Sequence, residues 1–277
     1  MVLISRRIII MKKKILAVTL AMAMVSSLVA CSGSTTKTQE SASASNEESQ
    51  DSTESKGTLV MATNAEFPPY EYHDGSDDQI VGIDAEIAAA IADKLGYTLE
   101  IEDIAFDSVI PEVTSGKADF GMAGMTVTEE RKKSVNFSDS YATAVQVVIV
   151  PEDSDITSID DLSGKIIGVQ SGTTGDLYAT DDFGDENVER YNKGMEAVQA
   201  LSQGKIDAVI IDNEPAKVFV QETEGLKILD SAYAEEQYAI AIALDNTELL
   251  SEVNAALAEL KADGTIDSIV SKYITAD

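Results

Sequence analysis

The chain has 277 residues and a formal net charge of −29, with 49 acidic against 20 basic side chains. This balance argues against nucleic acid and anionic lipid headgroups as partners, because both are negatively charged. A single cysteine leaves no pair for an internal disulfide.

A basic segment followed by an apolar one opens the chain. Lysines occupy positions 12–14, and an apolar run over 15–30 leads directly to Cys31. At about 16 residues, this run is shorter than the ~20 that comfortably span a bilayer. We interpret residues 1–31 as a lipoprotein signal with thioether lipidation at Cys31, starting at the first residue or at Met11. An ordinary cleaved signal with a leftover cysteine is the alternative.

Residues 32–57 are mostly Ser, Thr, Gln, Glu, Asp and Lys, with almost no large apolar side chain. Such a segment buries too little surface to offset the loss of chain entropy, so a disordered tether is predicted. The remaining body, 58–277, has about 220 residues, which is enough for one large domain or two smaller lobes.

The body alternates short apolar runs with segments of helical period, as is typical of α/β folds. Isoleucines recur every four residues from position 83 and Gly96 follows them, which predicts an amphipathic helix over 84–95. Strands are predicted at 59–63, 98–102, 118–123, 144–150, 166–170, 208–212, 226–229 and 238–244. A long helix over 247–262, ended by Gly264, and a shorter helix up to Tyr273 complete the pattern.

Two segments of the body echo each other. Residues 109–119 and 197–207 both place Gly-Lys-x-Asp between a stretch of helical period and an apolar strand. Convergence of ordinary helix–glycine–strand joints explains one such match, but the same joint twice in an α/β chain favours two similar lobes. Two lobes imply a cleft, and clefts are where small ligands bind.

The candidate chemistry concentrates in residues 121–141, which read GMAGMTVTEERKKSVNFSDSY. Thr126 and Glu129 fit a capping box that opens a helix, and the N–H groups of a helix N-terminus suit a carboxylate. Arg131 adds a fork of donors that matches a carboxylate in two-pronged geometry. A solvated charged turn over 129–133 is the other interpretation of these residues.

This stretch resembles the signature of the bacterial extracellular solute-binding proteins of family 3, the polar amino-acid receptors of ABC importers. Three further segments resemble the same family in the same order. They are ATNAEFPPYEY at 62–72 with GID at 82–84, GKIIGVQSGTT at 164–174, and DAVIID at 207–212. The resemblance covers about 58–277, essentially the whole body.

The resemblance implies a monomer with a type II periplasmic-binding-protein-like α/β fold, whose two lobes are joined by two hinge strands and close on a ligand. Lobe 1 would comprise 58–141 and the returning tail 241–277, and lobe 2 would comprise 142–240. The hinge crossings would lie near 141–146 and 236–241.

The resemblance also implies roles for individual residues. Arg131 would bind the α-carboxylate of an amino acid, with the Thr126 hydroxyl and the Gly124 carbonyl holding the zwitterion beside it. Thr174 would donate to the carboxylate from the other lobe, and Asp212 would accept from the α-ammonium. A fixed cation and a fixed anion on opposite lobes make closure depend on ligand, because closing without it buries both charges without good partners.

The side-chain pocket is implied in the same way. Phe67 and Phe106 would hold the ligand side chain between aromatic rings, with core packing as the alternative for each. Asn64 and Gln170 would face the pocket. Glu66, Asp107 and Ile211 also map near the pocket. Tyr70 is a further candidate for the aromatic wall, and Tyr141 is another, with packing at the hinge as its alternative. Relatives that bind basic ligands often carry an acid at the position of Asn64, so basic amino acids, neutral polar amino acids and cystine stay open as ligands.

The sequence contains no nucleophile–base pair, metal-ligand cluster or lysine-bearing phosphate loop, so neither catalysis nor a metal or cofactor is expected. The one histidine, His73, is expected in a solvated turn. The favoured function is capture of a polar or basic L-amino acid and its delivery to an ABC permease. The protein would act at the extracytoplasmic face of a Gram-positive cell membrane, anchored through the lipid on Cys31. A ligand-presenting sensor and a small-acid dehydratase on the same fold are the alternatives.

Overall fold

Three β-sheets and seven α-helices make up the part of the chain that this computed structural model describes, residues 55–75 and 79–274. These residues all belong to one unit spanning 51–277. The strands are β1 Thr58–Thr63, β2 Glu66–Phe67, β3 Glu71–Asp74, β4 Gln79–Val81, β5 Thr98–Asp103, β6 Phe120–Gly121, β7 Val135–Phe137, β8 Ala142–Pro151, β9 Ile167–Gln170, β10 Val188–Tyr191, β11 Ala208–Asp212, β12 Leu226–Ile228, β13 Ala234–Tyr238 and β14 Ala241–Ala243. The helices are α1 Ile83–Leu95, α2 Val109–Thr114, α3 Thr174–Phe183, α4 Gly194–Ser202, α5 Asn213–Glu222, α6 Thr247–Ala262 and α7 Thr265–Tyr273.

The first sheet has the strand order β5-β1-β6-β14-β7. Its β1 is parallel to β5 and β6, whereas β14 is antiparallel to β6 and β7. Because β1 and β6 are parallel, the segments that follow them emerge at the same edge of the sheet. Asn64 follows β1 and Gly124 follows β6, so this edge carries two of the predicted site residues.

The second sheet has the strand order β10-β9-β11-β8-β12, and β13 also pairs with β8. The ten-residue β8 is antiparallel to β11, β12 and β13. The parallel strands β9 and β11 end at one edge, with Gln170 and Asp212 as their last residues. A small third sheet, β2-β3-β4, continues from the end of β1.

Helix α1 confirms the helix predicted over 84–95. Its isoleucines at 83, 87 and 91 are buried, and it packs against α6 and α7 from the far end of the chain. Burying each such side chain stabilises the fold by about 1.5–3 kcal/mol. The helix ends at Gly96, whose φ of 81° lies in the left-handed region that glycine adopts without strain.

Two strand predictions need correction. The strand predicted over 118–123 is only Phe120–Gly121, because the chain turns away at Gly124, which has a φ of 53°. The strand predicted over 238–244 is two strands, since β13 ends at Tyr238 in the second sheet and β14 lies in the first. An apolar run alone does not reveal that the chain crosses between sheets inside it.

The prediction of a helix start at Thr126 was also wrong. No helix opens at Thr126 in the described chain; a short 3₁₀ turn, Arg131–Lys133, lies there instead. The Thr126 hydroxyl donates to Glu236, 3.1 Å away, so a partner distant in sequence takes the place of a local backbone cap. The predicted end of α6 is confirmed: the helix ends at Ala262 with Asp263 as its cap, and Gly264 follows with a φ of 80°, in the left-handed region typical of a glycine that ends a helix.

Two N-terminal predictions lie outside the described residues: the signal over 1–31 with Cys31, and most of the tether over 32–57. Within the described ranges, none of the helices is long and apolar enough to cross a membrane.

Candidate functional site

A small cavity lies where the two sheet edges meet. The predicted ligand-binding residues all line it: Asn64, Phe67, Phe106, Gly124, Thr126, Arg131, Gln170, Thr174 and Asp212. Three further residues line it that the sequence did not single out: Glu71, Ala123 and Thr173. The structure thus brings together groups from positions almost 150 residues apart, and their roles toward a ligand stay predictions.

Arg131 is the buried cation of the cavity, with 9% of its surface exposed. Its Nη1 donates to the Thr126 carbonyl at 2.7 Å, and its Nη2 donates to the Gly172 carbonyl at 3.1 Å. The guanidinium also lies over the Phe106 ring, 5.3 Å from its centroid. Burial lowers the pKa of Arg131, while the charges of Glu236 and Asp212 oppose that shift. Backbone carbonyls and an aromatic face therefore orient the guanidinium without neutralising it.

Asp212, the last residue of β11, is the buried anion. The Tyr238 hydroxyl donates to its Oδ1 at 2.5 Å. Burial, and then the charge of Glu236, raises the pKa of Asp212 to about 7, although the bond from Tyr238 acts in the opposite direction. Within the described residues, no ion pair joins Asp212 to Arg131. The cation and the anion thus face one cavity and remain available to a ligand that carries both charges.

The first turn of α3 adds hydroxyl groups to the cavity. Thr173 caps the helix, with its side chain accepting from the Asp176 N–H at 3.3 Å. The next residue, Thr174, donates from its hydroxyl to Glu236 at 3.1 Å. Thr126 donates to the same Glu236 oxygen from the opposite side. Glu236 thus joins two hydroxyls of the cavity wall, although it does not line the cavity itself.

An amide pair joins the two sheet edges at the cavity. Gln170 Nε2 donates to Asn64 Oδ1 at 2.8 Å and also to the Asn192 carbonyl at 3.2 Å. Asn64 in turn donates from its Nδ2 to the Ile104 carbonyl at 2.8 Å. These bonds fix which face each amide presents to the cavity.

Glu71 is the site residue that sequence reasoning missed. It lines the cavity at 0% exposure, and its carboxyl group lies beside that of Asp84, to which it can donate a hydrogen bond when it is protonated. Burial, and then the charge of the nearby Asp84, raises the pKa of Glu71 well above its usual range. Asp84 Oδ2 accepts from the Gly124 N–H at 2.9 Å and the Tyr141 hydroxyl at 2.7 Å, and burial raises its pKa to about 6. The only sequence signal for Glu71 was its place inside the 62–72 segment.

The aromatic residues divide between wall and core. Phe67 is buried and close to Gly124: a Cβ at that glycine would lie 2.8 Å from Phe67 Cε1, so only glycine leaves room for the ring. Phe106 is partly buried and contacts Arg131. Tyr70 lies outside the cavity lining and packs edge-on against Tyr238, with ring centroids 5.1 Å apart.

Several positions that mapped near the pocket lie outside the cavity lining. Glu66 forms an ion pair with Lys193, Asp107 is exposed, and Ile211 packs in the core. The expectation of a solvated turn for His73 was wrong. This residue lies in β3, and its Nε2 is 2.9 Å from Asp103 Oδ2.

Comparison with known proteins identifies the family to which the chain belongs. The profile of the bacterial extracellular solute-binding proteins, family 3, matches residues 59–276. The chain belongs to this family. The arginine-binding extracellular protein ArtP of Bacillus subtilis is 35% identical over 227 residues, which cover 80% of this chain and 88% of that protein.

Solved structures agree with the family assignment. An ancestral arginine-binding protein bound to arginine is 42% identical, with a TM-score of 0.75 over 80% of this chain and 100% of that one. An ancestral arginine-binding protein bound to glutamine is 41% identical, with a TM-score of 0.76 over 80% of this chain and 100% of that one. This solute-binding protein has the two-lobe α/β fold of these relatives. Its function is to bind a polar or basic amino acid as the substrate-binding protein of an ABC importer.

Proposed function

We propose that this solute-binding protein captures L-arginine between its two lobes. The observation that carries the proposal is Glu71, a buried carboxyl group that lines the cavity and whose neighbour there is another acid, Asp84, with no cation paired to it among the described residues. A guanidinium presents a planar fork of donors that matches a carboxylate in two-pronged geometry. Relatives named for arginine binding support the same choice.

The zwitterionic end of the ligand fits the two charges of the cavity. Arg131 supplies donors for the α-carboxylate, and Asp212 accepts from the α-ammonium. The binding of that ammonium favours the ionised form of Asp212, whose pKa is about 7 without a ligand. Charge pairs formed in a closed, water-poor cavity are worth several kcal/mol only when both partners are present, so the closed state is selected by ligand.

L-Glutamine is the second candidate. The amide pair of Asn64 and Gln170 offers donors and acceptors to a neutral ligand amide, and a relative has been solved with glutamine bound. The two candidates differ at Glu71. Arginine needs the ionised carboxylate, whereas an amide pairs with the protonated carboxyl group that the raised pKa favours.

Calorimetric titration of ligand-free, full-length protein with both amino acids tests the proposal. Arginine is expected to bind more tightly than glutamine. Its binding at pH 7 should also release more protons, because only arginine favours the ionised form of Glu71. Asp212 contributes to both titrations, so the difference between them isolates Glu71. The excess is measured from heats recorded in buffers of different ionisation enthalpy.

The matched variants are Glu71→Gln and Glu66→Gln. The first removes the proposed guanidinium partner and is expected to weaken arginine by about 30-fold or more while sparing glutamine. The second removes an acid that pairs with Lys193 outside the cavity lining, and is expected to leave both affinities nearly unchanged. Equal weakening of both ligands by Glu71→Gln would contradict the arginine assignment, and silence across both titrations would contradict binding of either amino acid.

Delivery completes the proposed role. A lipid on Cys31 holds the protein as a monomer at the extracytoplasmic face of a Gram-positive membrane, where it passes its ligand to the permease without chemical change. The lobes, 58–141 with 241–277 and 142–240, close about crossings near 141–146 and 236–241. The lipoprotein signal pattern before Cys31 supports the anchoring. Metabolic labelling with a fatty acid tests it, since Cys31→Ala should lose the label and release the protein from the membrane.

A further inference from the structure

Glu236 is a buried acid that touches both sides of the site without lining its cavity. It lies on β13 and is 6% exposed. Its Oε2 accepts from the Thr126 hydroxyl at 3.1 Å, from the Thr174 hydroxyl at 3.1 Å and from Gln146 Nε2 at 2.9 Å. Its Oε1 accepts from the Tyr178 hydroxyl at 2.8 Å. In all four contacts the neighbouring group donates and a carboxylate oxygen of Glu236 accepts.

The direction of these bonds decides what the two threonines can offer a ligand. A hydroxyl has one proton and two lone pairs. Thr126 and Thr174 both direct that proton to Glu236, and Thr174 also accepts from Gln146 Nε2 at 3.3 Å. Toward a ligand in the cavity, each hydroxyl can therefore act only as an acceptor, through a remaining lone pair. It suits an N–H donor such as an α-ammonium, and the donation to the α-carboxylate expected of Thr174 is left to its backbone N–H.

We propose that Glu236 is a positioning residue that fixes the Thr126 and Thr174 hydroxyls as acceptors for the α-ammonium of the ligand. It acts from outside the cavity, and it joins the segment after β6 to the first turn of α3, which come from the two sheets. Together with Asp212, the two hydroxyls surround the ammonium with acceptors. This inference rests on the proposed capture of an amino acid.

Glu236→Gln keeps the shape of the side chain but replaces one acceptor oxygen with an NH₂ donor. Even if the NH₂ faces the Tyr178 hydroxyl, which can accept from it, the amide oxygen left for Thr126 and Thr174 is neutral and a weaker acceptor than a carboxylate. The two hydroxyl protons are then held less firmly and can turn toward the ammonium. We expect the affinity for L-arginine to fall about tenfold or more. The affinity for 5-guanidinopentanoate, which is arginine without the α-ammonium, should change by less than about threefold in the same measurement.

Glu235→Gln is the matched control, because this neighbouring acid lies on the same strand and is exposed. It should leave both affinities near the wild-type values. A merely structural role for Glu236 would weaken the amino acid and its deamino analogue alike, so the ratio of the two affinities separates positioning from general damage.

Two hydroxyl variants keep the test independent of how well Glu236→Gln folds. Thr126→Val and Thr174→Val should each weaken arginine more than its deamino analogue. In the Thr126→Val background, Glu236→Gln should have a smaller further effect than in the wild type. Equal losses for both ligands in all variants would overturn the inference and leave the proposed function standing.

If the wild type binds neither arginine nor glutamine, the proposed function itself fails and the inference fails with it. If it binds only glutamine, glutamine and its deamino analogue take the place of the arginine pair in the same comparison.

Discussion

The two Gly-Lys-x-Asp joints are built from the same contacts in the two sheets. In the first, the Asp119 N–H donates to the Val60 carbonyl and its carboxylate accepts from the Val60 N–H at 2.7 Å. In the second, Asp207 makes the same pair of bonds with Ile166, with the carboxylate contact at 2.8 Å. Each aspartate thus ties the start of its strand to the neighbouring strand.

The two joints differ in the strands to which they lead. The first leads into the two-residue β6, after which the chain turns and supplies Thr126 and Arg131 to the cavity. The second leads into the five-residue β11, which runs straight to the edge and ends on Asp212. One joint, used twice, therefore delivers a cation from one sheet and an anion from the other, and the difference lies wholly in the residues beyond each joint.

The largest effects should come from removing those two charges. Arg131→Ala and Asp212→Asn should each weaken the binding of L-arginine by about 2–5 kcal/mol, because the ligand's carboxylate in the first variant, or its ammonium in the second, is then buried without a protein partner. The two variants should differ with 5-guanidinopentanoate, whose binding Arg131→Ala abolishes and Asp212→Asn spares. Calorimetric titration measures both, and the exposed Lys132→Ala is the control for Arg131. Identical ligand profiles in the two variants would contradict the division of labour between the sheets.

The anionic side should also make stability depend on pH. The folded-state pKa of Asp212 is about 7 and that of Asp84 about 6, both above the ordinary value of 3.8, and that of Glu71 is raised as well. The folded state therefore holds more protons than the unfolded state between about pH 4 and pH 7, and stability falls as pH rises through that window. The ligand-free protein should unfold at a higher denaturant concentration at pH 5 than at pH 8, by a few kcal/mol.

Asp212→Asn is the control for this pH dependence, because it removes one of the three raised groups and should flatten the curve. An exposed acid, for example Asp230, should leave the slope unchanged when it is replaced by Asn. If the wild type is equally stable at both pH values, the buried acids are not protonated in the folded state at pH 5 and this account fails.

The aspartates of the joints should give smaller effects of unequal size. Asp119→Ala leaves the Val60 N–H without its partner in a partly buried place, so a loss of about 1–2 kcal/mol is expected. The contact of Asp207 with Ile166 is exposed, and water can replace the lost carboxylate, so Asp207→Ala should cost less than about 1 kcal/mol. Urea unfolding of both variants measures the difference, and the reverse order would show that burial does not set the strength of these joints.

The glycines of the joints should give small effects that are more nearly equal than those of the aspartates. Gly116 has a φ of 73° and Gly204 a φ of 67°, and a Cβ at either position would meet nothing within 4 Å. Alanine at each should therefore cost only the strain of the left-handed region, about 1 kcal/mol. Unfolding midpoints should shift alike in both, whereas a clearly unequal pair would mean that one joint carries strain that the other lacks.

Local patterns predicted the local parts of this molecule well. The four-residue repeat that starts at Ile83 specifies α1, and the Gly-Lys-x-Asp segments mark joints whose contacts are set within a few residues of each strand. The cavity residues, by contrast, came from resemblance, because nothing in a single sequence says that Asn64 and Gln170 meet. What the sequence could not supply was the burial of particular acids.

Glu71 and Glu236 look like any other acid in a chain with 49 acidic side chains. Their surroundings are set by tertiary contacts: the Thr126 hydroxyl reaches Glu236 across 110 residues of chain. The same contact explains the failed capping box, since a hydroxyl that has found a distant acceptor does not cap a local turn. A strand-length prediction fails for a related reason at β6, whose extent is limited by the turn at Gly124.

The position of β14 has a consequence for how the protein is made. This strand lies inside the first sheet, between β6 and β7, yet of the elements that the structure describes it is followed only by α6 and α7. All strands of the second sheet, from β8 to β13, leave the ribosome before β14 does, so that sheet can form while the first still lacks an interior strand. The first sheet, whose initial strands are synthesised first, is therefore completed only after the second sheet.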